Sequence, residues 1–501
     1  MATLCGHGLD PLLQAACKAG LRLVDVRNEQ TAAYIADGYG RLTRRPGVCA
    51  VTSGIGLVNA LSGAANAWFD RAPMLLISGA AATHTLGMGH FQELDQVNLA
   101  RPISKFSRAI DCAERTLEIL DEALAVTVAD PPGPAHLMFP LDVQTTEVTE
   151  GSIVPCAPVH ADSVARNDDI EQVAEALASS EAPLIIAGSA IFYDDGGEEL
   201  LRFCEDLQIP VVTPLWDRGS IGRPSSVFFG VIGAATGGPA LLQDADCILM
   251  AGAENDYRVG YLRPPAVRRD ARIFRFRNHW PALAASCRDK GFKPPRSWVA
   301  ECARRRAEFH RSMEQHAQEQ RGQALHALDI IRAIEGVLEY DPVLLIDGGS
   351  IGQWAHQKLC AEWYPGHWLT CGRSGVVGWG IGGAMAARLA FPKRPVILLA
   401  GDGAFTFNAG DLECAVRQDL PFVAIVADDC AWGVTRIGQI RQFGEATASS
   451  LGPIHFDRLA ESLGARGIRV STPEGIAQEL RRAIAEPSVS VIHVPISGGN
   501  P

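Results

Sequence analysis

The chain has 501 residues, a formal net charge of −12 and 47% hydrophobic residues, enough for two to four filled domains. With no basic run or Arg-rich tail, that charge argues against a nucleic-acid partner, and no apolar run approaches the ~20 residues of a membrane span. The 13 cysteines show neither CxxC pairs nor a regular disulfide spacing, which argues for reduced thiols and a cytoplasmic enzyme rather than a zinc site or a secreted scaffold.

Short apolar strands alternate with amphipathic helices three times over, which predicts an α/β chain of three doubly wound parallel-sheet domains. In the first, residues 1–150, strands fall at 21–26, 46–53 and 72–79, with helices at 29–42 and 56–69 between them. The segment closes near 133–143, and the polar, Pro-containing residues 144–168 read as a linker. The second domain, 168–320, carries strands at 182–190, 209–214, 246–252 and 271–277. A charged helix over 298–322 leads into the third, 326–501, with strands at 342–349, 394–403, 421–429 and 489–496.

Two of those last strands end in acids: Gly401-Asp402-Gly403 on one, Asp428-Asp429 on the other. Carboxylates there are costly unless something positive sits between them, and ligands of such sheets bind beyond the carboxyl ends of the strands. A diphosphate bridged by a divalent cation fits. The glycines let backbone N–H groups approach phosphate oxygens, the helix opening near Ala404 presents unpaired N–H groups, and Asp402 with a later acid offers hard oxygens to Mg²⁺. An ordinary strand–turn–helix with surface acids is the competing explanation; a lone Gly-Asp-Gly would not exclude it, whereas the whole spaced arrangement disfavours it.

On these residues the chain resembles the thiamine-diphosphate-dependent enzymes, whose motif is Gly-Asp-Gly, a helix and strand, then Asn-Asn. The resemblance implies Mg²⁺ held by Asp402, Asp429 and the carbonyl of Ala431, with Gly401, Gly403, Ala404, Trp432 and Gly433 around the diphosphate. Asp428-Asp429 departs from the usual Asn-Asn; both residue types offer an oxygen to the metal, here in a more negative site.

The family also needs a Glu against the coenzyme's aminopyrimidine, so that the coenzyme can deprotonate its own thiazolium carbon. Glu29, opening the Ala-rich helix 29–42, matches that position, although a helix's first turn favours a Glu through the dipole alone. Gly54, Gly56 and Asn59 match a coenzyme-contacting turn supplied by the neighbouring subunit, with Ile55 in place of the usual Pro. In residues 372–391, Val377 matches the apolar wedge under the bent coenzyme, and Gly375 would offer its carbonyl to the amino group. A glycine-rich helix start packed on a sheet explains the same residues equally well. Ser350, after the first strand of the third domain, is a further diphosphate candidate.

The resemblance covers almost the whole chain, in the order pyrimidine-binding, central, diphosphate-binding, as in acetolactate synthase, 2-hydroxyacyl-CoA lyase, oxalyl-CoA decarboxylase and benzaldehyde lyase. Within 87–106, Gln92 matches a glutamine facing the substrate. His7 lies one position early relative to a benzaldehyde-lyase loop histidine; it is read either as a proton relay or as a structural loop residue. The family usually places a helix of roughly twenty residues before this loop, which this sequence does not show; either that helix is dispensable or the start is assigned late, and the reading of His7 depends on which.

Several relatives bind FAD or ADP in the central domain. Residues 187–195 and 250–261 sit at suitable strand ends but carry no dinucleotide fingerprint, so an empty central domain is favoured. The reading is a thiamine-diphosphate- and Mg²⁺-dependent lyase or carboligase that makes or breaks a carbon–carbon bond beside the carbonyl of a keto acid, aldehyde or hydroxy ketone. A homo-oligomer, dimer or tetramer, is expected, with active sites between subunits. A 2-hydroxyacyl-CoA lyase and a 2-keto acid decarboxylase are the alternatives. A non-catalytic coenzyme-binding homologue is the rival from another class, and Glu29 argues against it.

Overall fold

The apolar runs form three parallel sheets in a computed structural model that describes residues 1–149, 167–233, 238–320 and 324–497. The first sheet has β1 (Ala2–Leu4), β2 (Val24–Asp25), β3 (Gly47–Val51), β4 (Met74–Ala80), β5 (Phe106–Ala109) and β6 (Pro134–Pro140), in the order β2-β1-β3-β4-β6-β5. The second has β7 (Pro183–Ala187), β8 (Val211–Pro214), β9 (Phe228–Ile232), β10 (Cys247–Ala251) and β11 (Arg272–Arg275), in the order β11-β10-β7-β8-β9. The third has β12 (Val343–Asp347), β13 (Trp368–Thr370), β14 (Val396–Gly401), β15 (Val423–Asp428), β16 (Arg466–Arg469) and β17 (Ser490–Pro495). Its order, β13-β12-β14-β15-β17-β16, repeats that of the first sheet strand for strand.

Helices on both faces demand strands that are apolar throughout, and β4, β7, β10 and β12 are buried at every position. Those strands are legible as apolar runs. The periodicity misses β5, β9, β13 and β16, each a sheet edge, and the three-residue β1. β5 and β16 are only half-buried, so no apolar run marks them. The predicted strand 21–26 shortens to Val24–Asp25. A helix, Leu141–Thr145, occupies the start of the predicted linker; its residues 150–166 lie outside the described residues.

The charged helix runs Arg296–Gln320 and buries Trp298, Cys302, Met313 and Ala317 along one stripe. No helix among the described residues is long and apolar enough to cross a membrane.

Small residues bring the outer domains together. Helix Glu29–Thr43 packs on helix Gly380–Ala390, and a Cβ on Gly38 would sit 3.1 Å from that of Ala386. Two buried arginines tie in the central domain. Arg41 pairs with Asp70 at 2.9 Å and donates to the Thr370 carbonyl at 2.8 Å. Arg218 donates to the carbonyls of Arg41 at 2.8 Å and Trp368 at 3.1 Å. Buried cations persist only with such partners.

Candidate active site

In both outer sheets the crossover direction reverses between the first and third strands, which opens a crevice at their carboxyl ends. In the third domain that crevice is a cavity of about 160 Å³, lined among others by Ser350, Val377, Asp402, Asp429 and Trp432. Its wall admits no larger residues at two glycines. A Cβ on Gly403 would sit 2.5 Å from the Trp432 ring, and one on Gly433 would sit 2.4 Å from Ser350 Oγ and 2.8 Å from Asp429 Oδ2. Ser350 Oγ is buried and has no protein partner. An unmet hydroxyl in such a wall suits a ligand with anionic oxygens.

The charges point the same way. Burial pushes the Asp402 carboxyl up to about 7, against the Gly403 N–H and with the Asp429 and Asp428 carboxylates adding to it. Asp429 is also raised, by burial first and then by the Asp428 charge, with the Ala431 N–H opposing. Asp428 goes the other way. Burial would raise it, but the His493 bond at 2.8 Å and the Cys430 N–H at 3.1 Å hold it below the usual range.

Two neighbouring carboxyls that resist ionisation are what a divalent cation would relieve. No group of three or more His, Cys, Asp or Glu side chains is arranged for a metal among the described residues. A cation here would therefore take the two carboxylates, the Ala431 carbonyl and oxygens from a bound diphosphate. The residues present fit that group.

Val377 reaches the cavity from a tightly held segment. Gly378 has φ +88°, and a Cβ there would meet Phe407 at 2.3 Å. Its N–H donates to Asp347, and its carbonyl accepts from Asn408 Nδ2 at 2.8 Å. Gly375 is exposed, at φ +66°.

In the first domain the corresponding crevice lies past β1 and β3. Glu29 is 8% exposed and accepts a bond from Asn59 Nδ2 at 3.0 Å. It does not cap its helix; the Asn28 side chain does, accepting from the Gln30 N–H at 2.9 Å. A Cβ on Gly56 would approach Glu29 Oε1 to 3.3 Å, and one on Gly54 would meet the Gln92 carbonyl at 2.0 Å. Gln92 is half-buried at φ +56°, an uncommon conformation for a side-chain-bearing residue. The His7 carbonyl accepts from Thr52 Oγ1 at 2.7 Å.

All the lining of the 160 Å³ cavity comes from the third domain, and neither Glu29 nor Asn59 is part of it. The sequence reading passed over Asp347, Asn408, Asn28 and His90. Only the place of Asp347 at a strand end could have flagged it.

The central domain has a cavity of about 230 Å³ at its own switch point, past β7 and β10. Two of its four lining arginines are already neutralised: Arg71 pairs with Glu254 at 2.5 Å, and Arg277 pairs with Asp130 at 2.9 Å and with Asp194. A Cβ on Gly188 would lie 2.2 Å from Ala253.

Comparison with known families matches three models in succession. Residues 1–99 match the N-terminal TPP binding domain of thiamine pyrophosphate enzymes, residues 170–279 their central domain, and residues 347–494 their C-terminal TPP binding domain. A probable acetolactate synthase of Mycobacterium bovis is 29% identical over 515 residues, covering 98% of this chain and 92% of that protein. The 2-hydroxyacyl-CoA lyase 2 of Bos taurus is 29% identical over 526 residues, covering 94% and 82% respectively. Its human counterpart is 28% identical with the same coverage.

Proposed function

This chain belongs to the thiamine pyrophosphate enzyme family, and from that membership we propose a magnesium-dependent lyase or carboligase acting on 2-keto acids or 2-hydroxy ketones. The bound coenzyme supplies a carbon nucleophile and an electron sink beside the substrate carbonyl. Asp402, Asp429 and the Ala431 carbonyl hold the cation, and Ser350 with the glycine turns holds the diphosphate. Val377 sets the bend of the coenzyme, and Glu29 holds a proton at a pyrimidine nitrogen. Gln92 faces the substrate as a neutral amide.

The observation that carries this reading is the pair of raised carboxyls beside the unmet Ser350 hydroxyl. Glu29, spared the work of capping, supports catalysis over simple binding. The experiment is product analysis with pyruvate, benzoin and a 2-hydroxyacyl-CoA, each with and without an aldehyde acceptor. Products from pyruvate plus acceptor would fit a synthase, and acyl-CoA cleavage the lyase alternative. No carbon–carbon product from any of them would sink the reading.

The assembly is at least a dimer and, on this reading, a tetramer, in the cytoplasm. Met88 at 77% and Phe91 at 66% exposure, with Ile55, Trp68 and Phe69, are large apolar side chains left exposed on the first domain, as are Phe407, Val434 and Phe443 on the third. Such side chains suit an interface, and a second copy would bring Glu29 and Asn59 to the cavity that they do not line within one chain.

A further inference from the structure

The first-domain crevice holds a ring pair that no local motif announces. His7, after β1, and His90, in the loop before Gln92, stack with centroids 5.2 Å apart and planes 20° from parallel. Phe91 closes on the edge of His7 at 5.8 Å. The backbone beside the pair is tied toward the Glu29 side of the crevice: Thr52 Oγ1 donates to the His7 carbonyl at 2.7 Å, and a Cβ on Gly56 would come within 2.4 Å of Thr52 and 3.3 Å of Glu29 Oε1.

The loop that carries His90 is braced. The Glu93 carboxylate accepts the N–H groups of Gly87, of Gly89 at 3.0 Å and of His90 at 2.9 Å. Beyond it, buried Gln96 accepts from the Gly54 N–H at 3.0 Å and donates to the Gly79 carbonyl at 2.9 Å. The two rings differ in what they can offer. His7 Nε2 is enclosed and has no partner, whereas His90 is only half-buried. His90 Nδ1 faces the Phe91 carbonyl at 3.4 Å; the neutral tautomer that donates there carries its lone pair on Nε2. His90 Nε2 makes no hydrogen bond among the described residues.

We propose that His90 is a further catalytic residue for the reaction put forward above, and that His7 is the positioning residue stacked behind it. In the cleavage direction Nε2 takes the proton of the substrate hydroxyl. The O–H bond would break, its electron pair becoming the new C=O bond, and the pair of the breaking C–C bond would go to the electron sink that the bound coenzyme would supply. In ligation the proton returns to the oxygen. The inference rests on the proposed function and goes beyond it by naming the base.

The test uses the full-length holoenzyme. His90→Phe keeps a ring in the stack and removes both nitrogens. Its kcat should fall about 100-fold, the scale of one lost acid–base element, while KM and thiamine-diphosphate affinity by calorimetry stay within about twofold. Exchange of the thiazolium proton with deuterium, which belongs to Glu29, should stay at the wild-type rate. His7→Ala should lower kcat, and His7→Phe should restore most of it by restoring the stack. Wild-type kcat in His90→Phe would overturn the proposal, as would an equal loss of coenzyme affinity. A wild-type chain that neither exchanges the thiazolium proton nor forms product would instead overturn the underlying function, and the inference with it.

Discussion

Asp347 holds Gly378 by its backbone: the carboxylate accepts the Gly378 N–H at 3.1 Å and, two residues further on, the Gly380 N–H at 2.7 Å. These bonds anchor the segment just after Val377. Asp347→Asn keeps the size but turns an amide N–H₂ toward backbone donors, leaving at least one buried group unmet, at about 1–3 kcal/mol. Lower thermal stability is expected. Thiazolium-proton exchange should slow by about tenfold or more as the wedge shifts, with coenzyme affinity by calorimetry little changed. An unchanged exchange rate would limit Asp347 to a structural role.

The same carboxyl gives a pH dependence. Burial pushes Asp347 up to about 7, opposed by the Gly380 and Gly378 N–H bonds, whereas an unfolded Asp titrates near ~3.9. Between those values the folded chain binds the extra proton. The contribution to stability is therefore full below the unfolded value and is lost as pH rises through about 7. The melting-temperature gap between wild type and Asp347→Asn should narrow steadily from pH 5 to pH 8. A gap that widens over that range would reverse the assignment.

Asp402→Ala should abolish retention of thiamine diphosphate with Mg²⁺, because the cation loses a charged ligand and the diphosphate its bridge. Asp429→Asn should be mild, since an amide oxygen still reaches the metal. Calorimetric titration with coenzyme and Mg²⁺ checks both; wild-type affinity in Asp402→Ala would refute the metal assignment.

Glu29→Gln preserves the bond to Asn59 in size and reach but shares a proton poorly. It should bind thiamine diphosphate nearly as well as wild type, lose turnover by about 100-fold and exchange the thiazolium proton far more slowly. Exchange at the wild-type rate would leave Glu29 a helix-start carboxylate.

Each complete site is expected to need two chains, because Glu29 and Asn59 do not line the cavity that holds Asp402. Sedimentation at assay concentration should find a dimer or tetramer, and Phe91→Glu should weaken it. A fully active monomer would contradict the shared site.

The sequence by itself determined the threefold strand–helix alternation, the thiamine-diphosphate family and the acids at two strand ends. Each is written in contiguous residues: apolar runs such as 343–347 and 423–428, Gly-Asp-Gly, and an Ala-rich helix opening on Glu29. Only the tertiary structure decided which strands close the edges, because short strands such as β5 and β16 gain their order from a neighbour rather than from an apolar run of their own. It alone set the repeated sheet order that gives both outer domains a crevice at corresponding places. It alone stacked His7 on His90, bonded Asp347 to Gly378 and turned Asp428 toward His493. Those partners lie tens of residues apart, and what joins them is the direction of chain crossovers and the need of buried polar groups for partners, neither of which leaves a local pattern to read.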